Sequence, residues 1–209
     1  MKKILIVAMI LVTFGIIAKE LNFTEIKEAY TKSYEYETLE KYDYAIKSLN
    51  KVQKNYADEY TINYRLGWLH YLHGKYSNAL EYLGKALVVN SYSVEALNTK
   101  NLVHIAQKEW QKSEELSAKI IEIDYYNVSA NYWYSYSLKM QKKYDLAIKI
   151  DRKMLVIFPT SAIFLQELAE NLNLNNKSEE SYLIFSGLLI LDPTNQSAIA
   201  FFENLEKKD

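Results

Sequence analysis

Apolar and polar positions along this chain return with a period of 34 residues. KYDYAIKS begins at Lys41, KYSNALEY at Lys75 and KYDLAIKI at Lys143, with weaker copies EWQKSEEL from Glu109 and KSEESYLI from Lys177. In a helix-forming sequence such a period predicts stacked helical hairpins, an array in which each unit is covered by the next. With the phase set by these copies, repeats fall near 26–59, 60–93, 94–127, 128–161 and 162–195, and a cap helix at 196–207. Each unit reads as helix A, a short turn, helix B and a second turn.

Laid on one another, the repeats show columns of like residues. Column 8, on helix A, holds Ser33, Gly67, Asn101, Ser135 and Ala169, and column 20, on helix B, holds Ala45, Ala79, Ser113, Ala147 and Ser181. Nine of these ten are Ala, Gly or Ser, as expected where two helices cross closely and a large side chain would part them. Column 17 carries Tyr42, Tyr76, Trp110 and Tyr144, broken by Ser178, and a ring there can fill the space beside the A–B turn. Columns 27 and 28 supply the apolar stripe for the next repeat, including Val52, Leu87, Ile120, Met154 and Leu188. Pro159 and Pro193 close the last two repeats, with Ser161 and Thr194 as candidate N-caps for the helices that follow.

These columns resemble the tetratricopeptide repeat (TPR) family, over residues from about 26 to 195. Gly67, Gly74, Tyr76, Ala79 and Ala86 make the second repeat the closest match. The resemblance implies an all-α fold, a right-handed α-solenoid of about five TPR hairpins with a C-terminal capping helix. Departures stand at column 4 (Ala29, Asn63, Leu97, Asn131, Leu165) and in the third repeat, where Lys100, Glu114 and Ser117 replace apolar residues.

In the family's superhelix, columns 2, 5, 9 and 12 of helix A line the concave wall. Spacings of four and three place columns 5, 9 and 12 on one helical stripe. Here they carry Tyr30, Tyr34 and Glu37, then Tyr64, Trp68 and Tyr71, then Asn98, Leu102 and Ile105, then Tyr132, Tyr136 and Lys139, and finally Gln166, Glu170 and Asn173. A wall so rich in rings suits capture of an extended or helical segment of another protein, because Tyr and Trp are frequent hot-spot residues. The same rings could equally pack on one another between adjacent A helices. The candidate partner-binding set is Tyr30, Tyr34, Tyr64, Arg65, Trp68, Tyr71, Tyr132, Tyr136 and Lys139. Some TPR proteins clamp a C-terminal carboxylate with Lys and Asn at set columns. Here Tyr30, Tyr34, Arg65, Glu95 and Thr99 occupy those columns, so a clamp of that type is not expected.

Composition narrows the function class. The 209 residues include 25 Lys and Arg against 26 Asp and Glu, so no general attraction to nucleic acid is expected. With no Cys there is neither a disulfide nor a thiolate metal site. His70 and His104 share column 11, with His73 three residues after the first. They could bind a divalent metal, or they could replace the ring usual in that column. Asn22, Asn127, Asn176 and Asn195 each begin an Asn-x-Ser/Thr triplet, mostly at predicted helix starts where Asn caps. No Gly-rich phosphate loop and no nucleophile motif is present, so no enzyme and no cofactor is expected.

The N-terminus differs from the rest. Lys2 and Lys3 precede an uncharged run from Ile4 to Ala18, ended by Lys19 and Glu20. That run is short for a spanning helix and suits an export signal, cleaved after a small residue or kept as an anchor. The expectation is an exported scaffold, periplasmic, secreted or held at the inner membrane through residues 1–18 alone, that binds another protein. The alternative is a structural array that self-associates.

Overall fold

The computed structural model describes residues 21–207, and the export-signal segment 1–18 lies outside them. Those residues form helices and turns, without a strand. The A helices are α1 (Phe23–Thr38), α4 (Tyr60–Leu72), α6 (Val94–Ala106), α8 (Val128–Met140) and α10 (Ala162–Leu174). The B helices are α2 (Tyr42–Ser48) with α3 (Asn50–Asn55), then α5 (Tyr76–Val89), α7 (Trp110–Ile123), α9 (Tyr144–Ile157) and α11 (Ser178–Leu191), and α12 (Gln196–Glu206) ends the array. Each helix packs chiefly on the one before and the one after it, and A helices also touch across repeats, as α4 does α6 and α8 does α10. The expected all-α solenoid is the observed architecture.

Local chemistry explains where the helices start and stop. Asn22, Asn127 and Asn195 accept hydrogen bonds from Glu25, Ala130 and Ala198 backbone N–H groups and so cap α1, α8 and α12. At α1 the Glu25 side chain returns the bond to complete a capping box. Ser93 caps α6 in the same way. Two expected caps behave differently. Ser161 sits at the N-cap of α10 without the side-chain bond, and at α12 Asn195 displaces Thr194, whose hydroxyl bonds Asp192 instead.

The five A–B turns are one structure repeated. Glu40, Gly74, Lys108, Lys142 and Asn176 all have positive φ, between 56° and 72°. Each is followed by a residue whose N–H reaches back five positions, as Lys75 N to His70 O at 2.9 Å and Lys143 N to Leu138 O at 2.9 Å. This is the Schellman closure, which satisfies carbonyls that the ended helix leaves free.

The small-residue columns lie at the helix crossings. Ser33, Asn101, Ser135 and Ala169, like the whole of column 20, are fully buried. A methyl group on Gly67 would stand 2.7 Å from Leu83 Cγ, so the α4–α5 crossing admits no side chain there. Val52, Ala86, Ile120, Met154 and Leu188 are buried as the stripe covered by the next repeat.

Some features run against the sequence pattern. Helix B of the first repeat is divided at Leu49, whose N–H bonds Ile46 O in a tighter turn, while Ser48 Oγ donates to Tyr44 O at 2.9 Å. A serine bonding back one turn competes with the helical ladder and bends it. At column 4, Asn63 and Asn131 are buried because each amide stitches its helix to the preceding turn. Asn63 Nδ2 donates to Ala57 O at 2.7 Å, and Asn131 Nδ2 to Tyr125 O at 3.0 Å. A polar seam also crosses the later repeats. Asn101 donates to Ser117 (2.8 Å), Ser137 to Ser113 (2.8 Å), and Asn171 to Asp151 (2.9 Å). Small polar pairs thus meet where apolar contacts would otherwise fill the core, with one oxygen each of Asn101, Asp151 and Asn171 left without a partner.

Candidate functional site

The A helices of the first two repeats bring Tyr30, Tyr34 and Glu37 of α1 opposite Tyr64, Arg65 and Trp68 of α4. Between them is an open cleft of about 560 Å³, with Thr38 and Thr61 also in its lining. Its floor is polar. Arg65 is buried (5% exposed) and ion-paired with Glu37, and its Nη2 donates to Ser33 Oγ at 3.1 Å. Trp68 Nε1 donates to the other oxygen of Glu37 at 2.6 Å, and the Tyr34 ring lies 3.8 Å from the Arg65 guanidinium carbon. Glu37 thus holds Trp68 of the wall and Arg65 of the floor in place, and the charge of Arg65 is matched inside the chain.

Aromatic contacts continue along the wall. Tyr64 stacks on Tyr60 (centroids 5.9 Å, 5°), and Trp68 meets Tyr71 at 5.7 Å. Burial, then the Tyr34 hydroxyl nearby, pushes Tyr30 up to about 12, and burial likewise raises Tyr71. These hydroxyls stay protonated and available as donors at any physiological pH. The Tyr60 hydroxyl contacts both Ser93 Oγ and Glu95 Oε1 at 2.6 Å, so that ring joins repeats two and three.

A second cluster sits in the fourth repeat. Tyr132, Trp133 and Tyr136 surround one another at 4.6–6.1 Å, and Trp110 meets the edge of Tyr136 at 5.8 Å. Lys139 Nζ lies 5.0 Å from the Tyr136 ring centre, 2.8 Å from Glu167 and 2.6 Å from Glu170. Burial alone would lower the Lys139 ammonium, but the two carboxylates outweigh it and the net shift is upward. Between the two clusters, Asn98, Leu102 and Ile105 of α6 give a stretch without rings, and Gln166, Glu170 and Asn173 of α10 end it in polar groups.

The candidate residues therefore form two groups. Tyr30, Tyr34, Tyr64, Arg65 and Trp68 share one cleft, and Tyr71 adjoins it through Trp68. Tyr132, Tyr136 and Lys139 form the other group. Tyr34 is exposed, the other rings are half-buried, and both cations are buried with carboxylates. Trp133 belongs to the second cluster and lies off columns 5, 9 and 12, so the column reading passes over it.

The histidines have separate local partners. His70 stacks on Tyr82 at 5.3 Å, His73 lies 3.5 Å from Asp43, and His104 Nδ1 is 2.7 Å from Glu109. Burial, then Lys75, lowers His70 and favours the neutral ring. Among the described residues no three His, Cys, Asp or Glu side chains are grouped to hold a metal.

No protein-family model and no curated protein matches the chain. Solved structures do. The crystal structure of MamA protein superposes with a TM-score of 0.72 at 20% identity, covering 81% of this chain and 92% of that one. Residues 41 to the end of MamA from Desulfovibrio magneticus RS-1 give 0.75 at 14% identity, covering 82% and 97%. YrrB, described as a TPR protein with an unusual peptide-binding site, gives 0.72 at 13% identity, covering 86% and 95%. At such identities what is shared is architecture, and the chain has the tetratricopeptide repeat fold.

Proposed function

We propose that this array is a protein-interaction scaffold of the cell envelope that holds a segment of another protein along its concave wall. One observation carries the reading: the cleft between α1 and α4 is walled by rings whose polar floor is already neutralised by Glu37 and Arg65. A partner segment would gain by covering Tyr34, Tyr64 and Trp68 without having to bring a countercharge. An apolar or aromatic segment therefore fits better than an acidic one. That YrrB, a protein of the same fold, is described as having a peptide-binding site supports the reading.

The test is affinity capture with the chain bearing Trp68→Ala and Tyr136→Ala, with helicity followed by circular dichroism. Capture of the partner should be lost while the helical signal stays. Tyr34→Ala, at an exposed position, gives a gentler version that leaves the Glu37–Arg65 pair intact. Capture unchanged in the folded variants would reject the proposal.

Self-association is favoured by a different observation, a cleft of about 480 Å³ at the C-terminal end lined by Tyr182, Leu183, Phe201 and Leu205. A multimer in light scattering that depends on this end, with no captured partner, would support that alternative. Export, with residues 1–18 cleaved or kept as an anchor, rests on Lys2, Lys3 and the uncharged run after them. Sequencing the mature N-terminus decides between cleavage and retention.

A further inference from the structure

Many of the exposed apolar side chains among the described residues lie on one edge, where B helices end and the next A helices begin. Val88, Val156 and Ile190 stand at one column of α5, α9 and α11 and are 86%, 79% and 82% exposed. Ile123 and Tyr92 continue the row, and Phe23 at the start of α1 is 78% exposed. Successive turns are tied side by side: Tyr60 to Ser93 at 2.6 Å, and Lys153 to the Tyr125 carbonyl at 3.3 Å. Neighbouring turns therefore lie side by side, and the apolar row runs along them with exposed Lys54 and Glu122 at the same column in the first and third repeats. Exposed apolar side chains gathered in this way mark a surface that something covers.

We infer that this edge rests on a lipid bilayer, with the apolar row inserted at the level of the headgroups. Two observations choose lipid over another protein. First, the chain enters the array at this edge. Tyr56, at the end of α3, donates to the Leu21 carbonyl at 3.4 Å, so the described chain begins on the same side as the row, and the sequence before it carries the uncharged run from Ile4 to Ala18. Second, the row is flanked one turn earlier by exposed Lys51, Lys85 and Lys119 at one column, long side chains whose stems can lie along an interface. Lys85 shares its charge with Glu81, and Lys153 of the same column is bonded inside the chain. Asp58, Glu59, Glu122, Asp124 and Asp192 on the same edge balance these charges, so burial of the apolar row and not net charge drives the contact. The inference leans on the anchor reading only for direction. The concave wall is a different surface and its function can fail separately.

Because the chain has no Cys, single labels are easily placed. The full chain carrying Val156→Cys or Ile190→Cys is labelled with an environment-sensitive fluorophore and mixed with phosphatidylcholine vesicles bearing brominated acyl chains. Ser77→Cys and Gln111→Cys, at the opposite ends of α5 and α7, serve as controls. The two edges are about 20 Å apart, the length of a 14-residue helix. Edge labels should shift to the blue and lose about half their emission to bromine, while the controls stay aqueous. Flotation with vesicles while edge labels remain aqueous overturns the edge contact but leaves the anchor standing. Failure to float overturns both. Protection of the edge labels that grows with protein concentration in the absence of lipid assigns the edge to a second copy and also overturns the inference.

Discussion

Asp151 sits in an environment opposed to its chemistry. Its column on helix B holds Leu49, Leu83 and Phe185 in other repeats, and like them it is buried, fully in this case. Asn171 donates to one carboxyl oxygen at 2.9 Å while the other has no partner. Burial pushes the group from 3.8 up to about 7, and the hydrogen bonds from Ser135 and Asn171 only partly oppose it. The folded chain therefore holds a proton that the unfolded chain releases above about pH 4. Below that value both states are protonated and the group is neutral to stability. Between pH 4 and 7 the unfolded state gains by ionising, so stability falls as pH rises, by roughly 1.4 kcal/mol per unit and on the order of 4 kcal/mol in all. Asp151→Asn keeps the shape and removes the proton, so this slope should disappear. The variant should be the more stable form at pH 8, by about 2–4 kcal/mol, and urea midpoints at pH 5 and 8 read this directly. Parallel midpoints for the two proteins across that range would show that the proton is held elsewhere, with buried Glu167, raised by the same cause, the first candidate.

Among the elements, the A–B turns carry a repeated cost. All five adopt the left-handed conformation at one position, yet only Gly74 lacks a Cβ, and Asn176 tolerates the region better than most. Glu40, Lys108 and Lys142 each bear roughly 1 kcal/mol of strain in return for the Schellman bonds. Lys108→Gly and Lys142→Gly, both at exposed positions, should each raise stability by about 0.5–1 kcal/mol, the unfolded chain's added freedom offsetting part of the relief. For a chain of this size that is a rise of about 2–4 °C per kcal/mol in thermal melts. The turns are far apart, so the double variant should show the sum. Such features also show what could be read beforehand. Hairpins, close crossings at Ala45, Gly67 and Ala79, and capping at Asn22, Asn127 and Asn195 are legible because steric fit and local hydrogen bonds repeat with the period. The split at Leu49, the hold of Glu37 on both Arg65 and Trp68, and the burial of Asp151 are not. The split rests on the rotamer by which Ser48 bonds back to Tyr44, and the other two on partners 20 to 31 residues away, which a column places nearby without saying which atoms meet. For the candidate wall, the columns name the rings of Tyr34 and Tyr136 but not the neutralisation of Arg65 and Lys139 beneath them.

At the scale of the whole molecule, contacts join each helix mainly to its neighbours, so stability should behave as a chain of coupled interfaces and not as one indivisible core. The C-terminal end is where this can be tested. α12 closes the array by laying Phe201 on Phe185 (centroids 4.6 Å) and Phe202 edge-on to Tyr182 (5.2 Å), with Ala169, Leu188 and Ala198 buried around the first pair. Phe201→Ala removes the ring that covers α11 and should cost about 2–3 kcal/mol, below a fully buried phenylalanine because Phe201 is only half-buried. In a coupled array the loss stays near its origin. Amide hydrogen exchange should quicken in α10, α11 and α12 and fade toward α8. It should leave α4 and α5 as protected as before, since those helices form the most extensive pair in the molecule and are joined to the end only through intervening repeats. The Ser113–Ser137 and Asn171–Asp151 bonds add polar links between successive repeats beside the apolar contacts of Ile120 with Ala130 and of Ile148 with Leu168. If exchange instead rises equally from α1 to α12, the array unfolds as one unit, and the stepwise account of its stability is wrong.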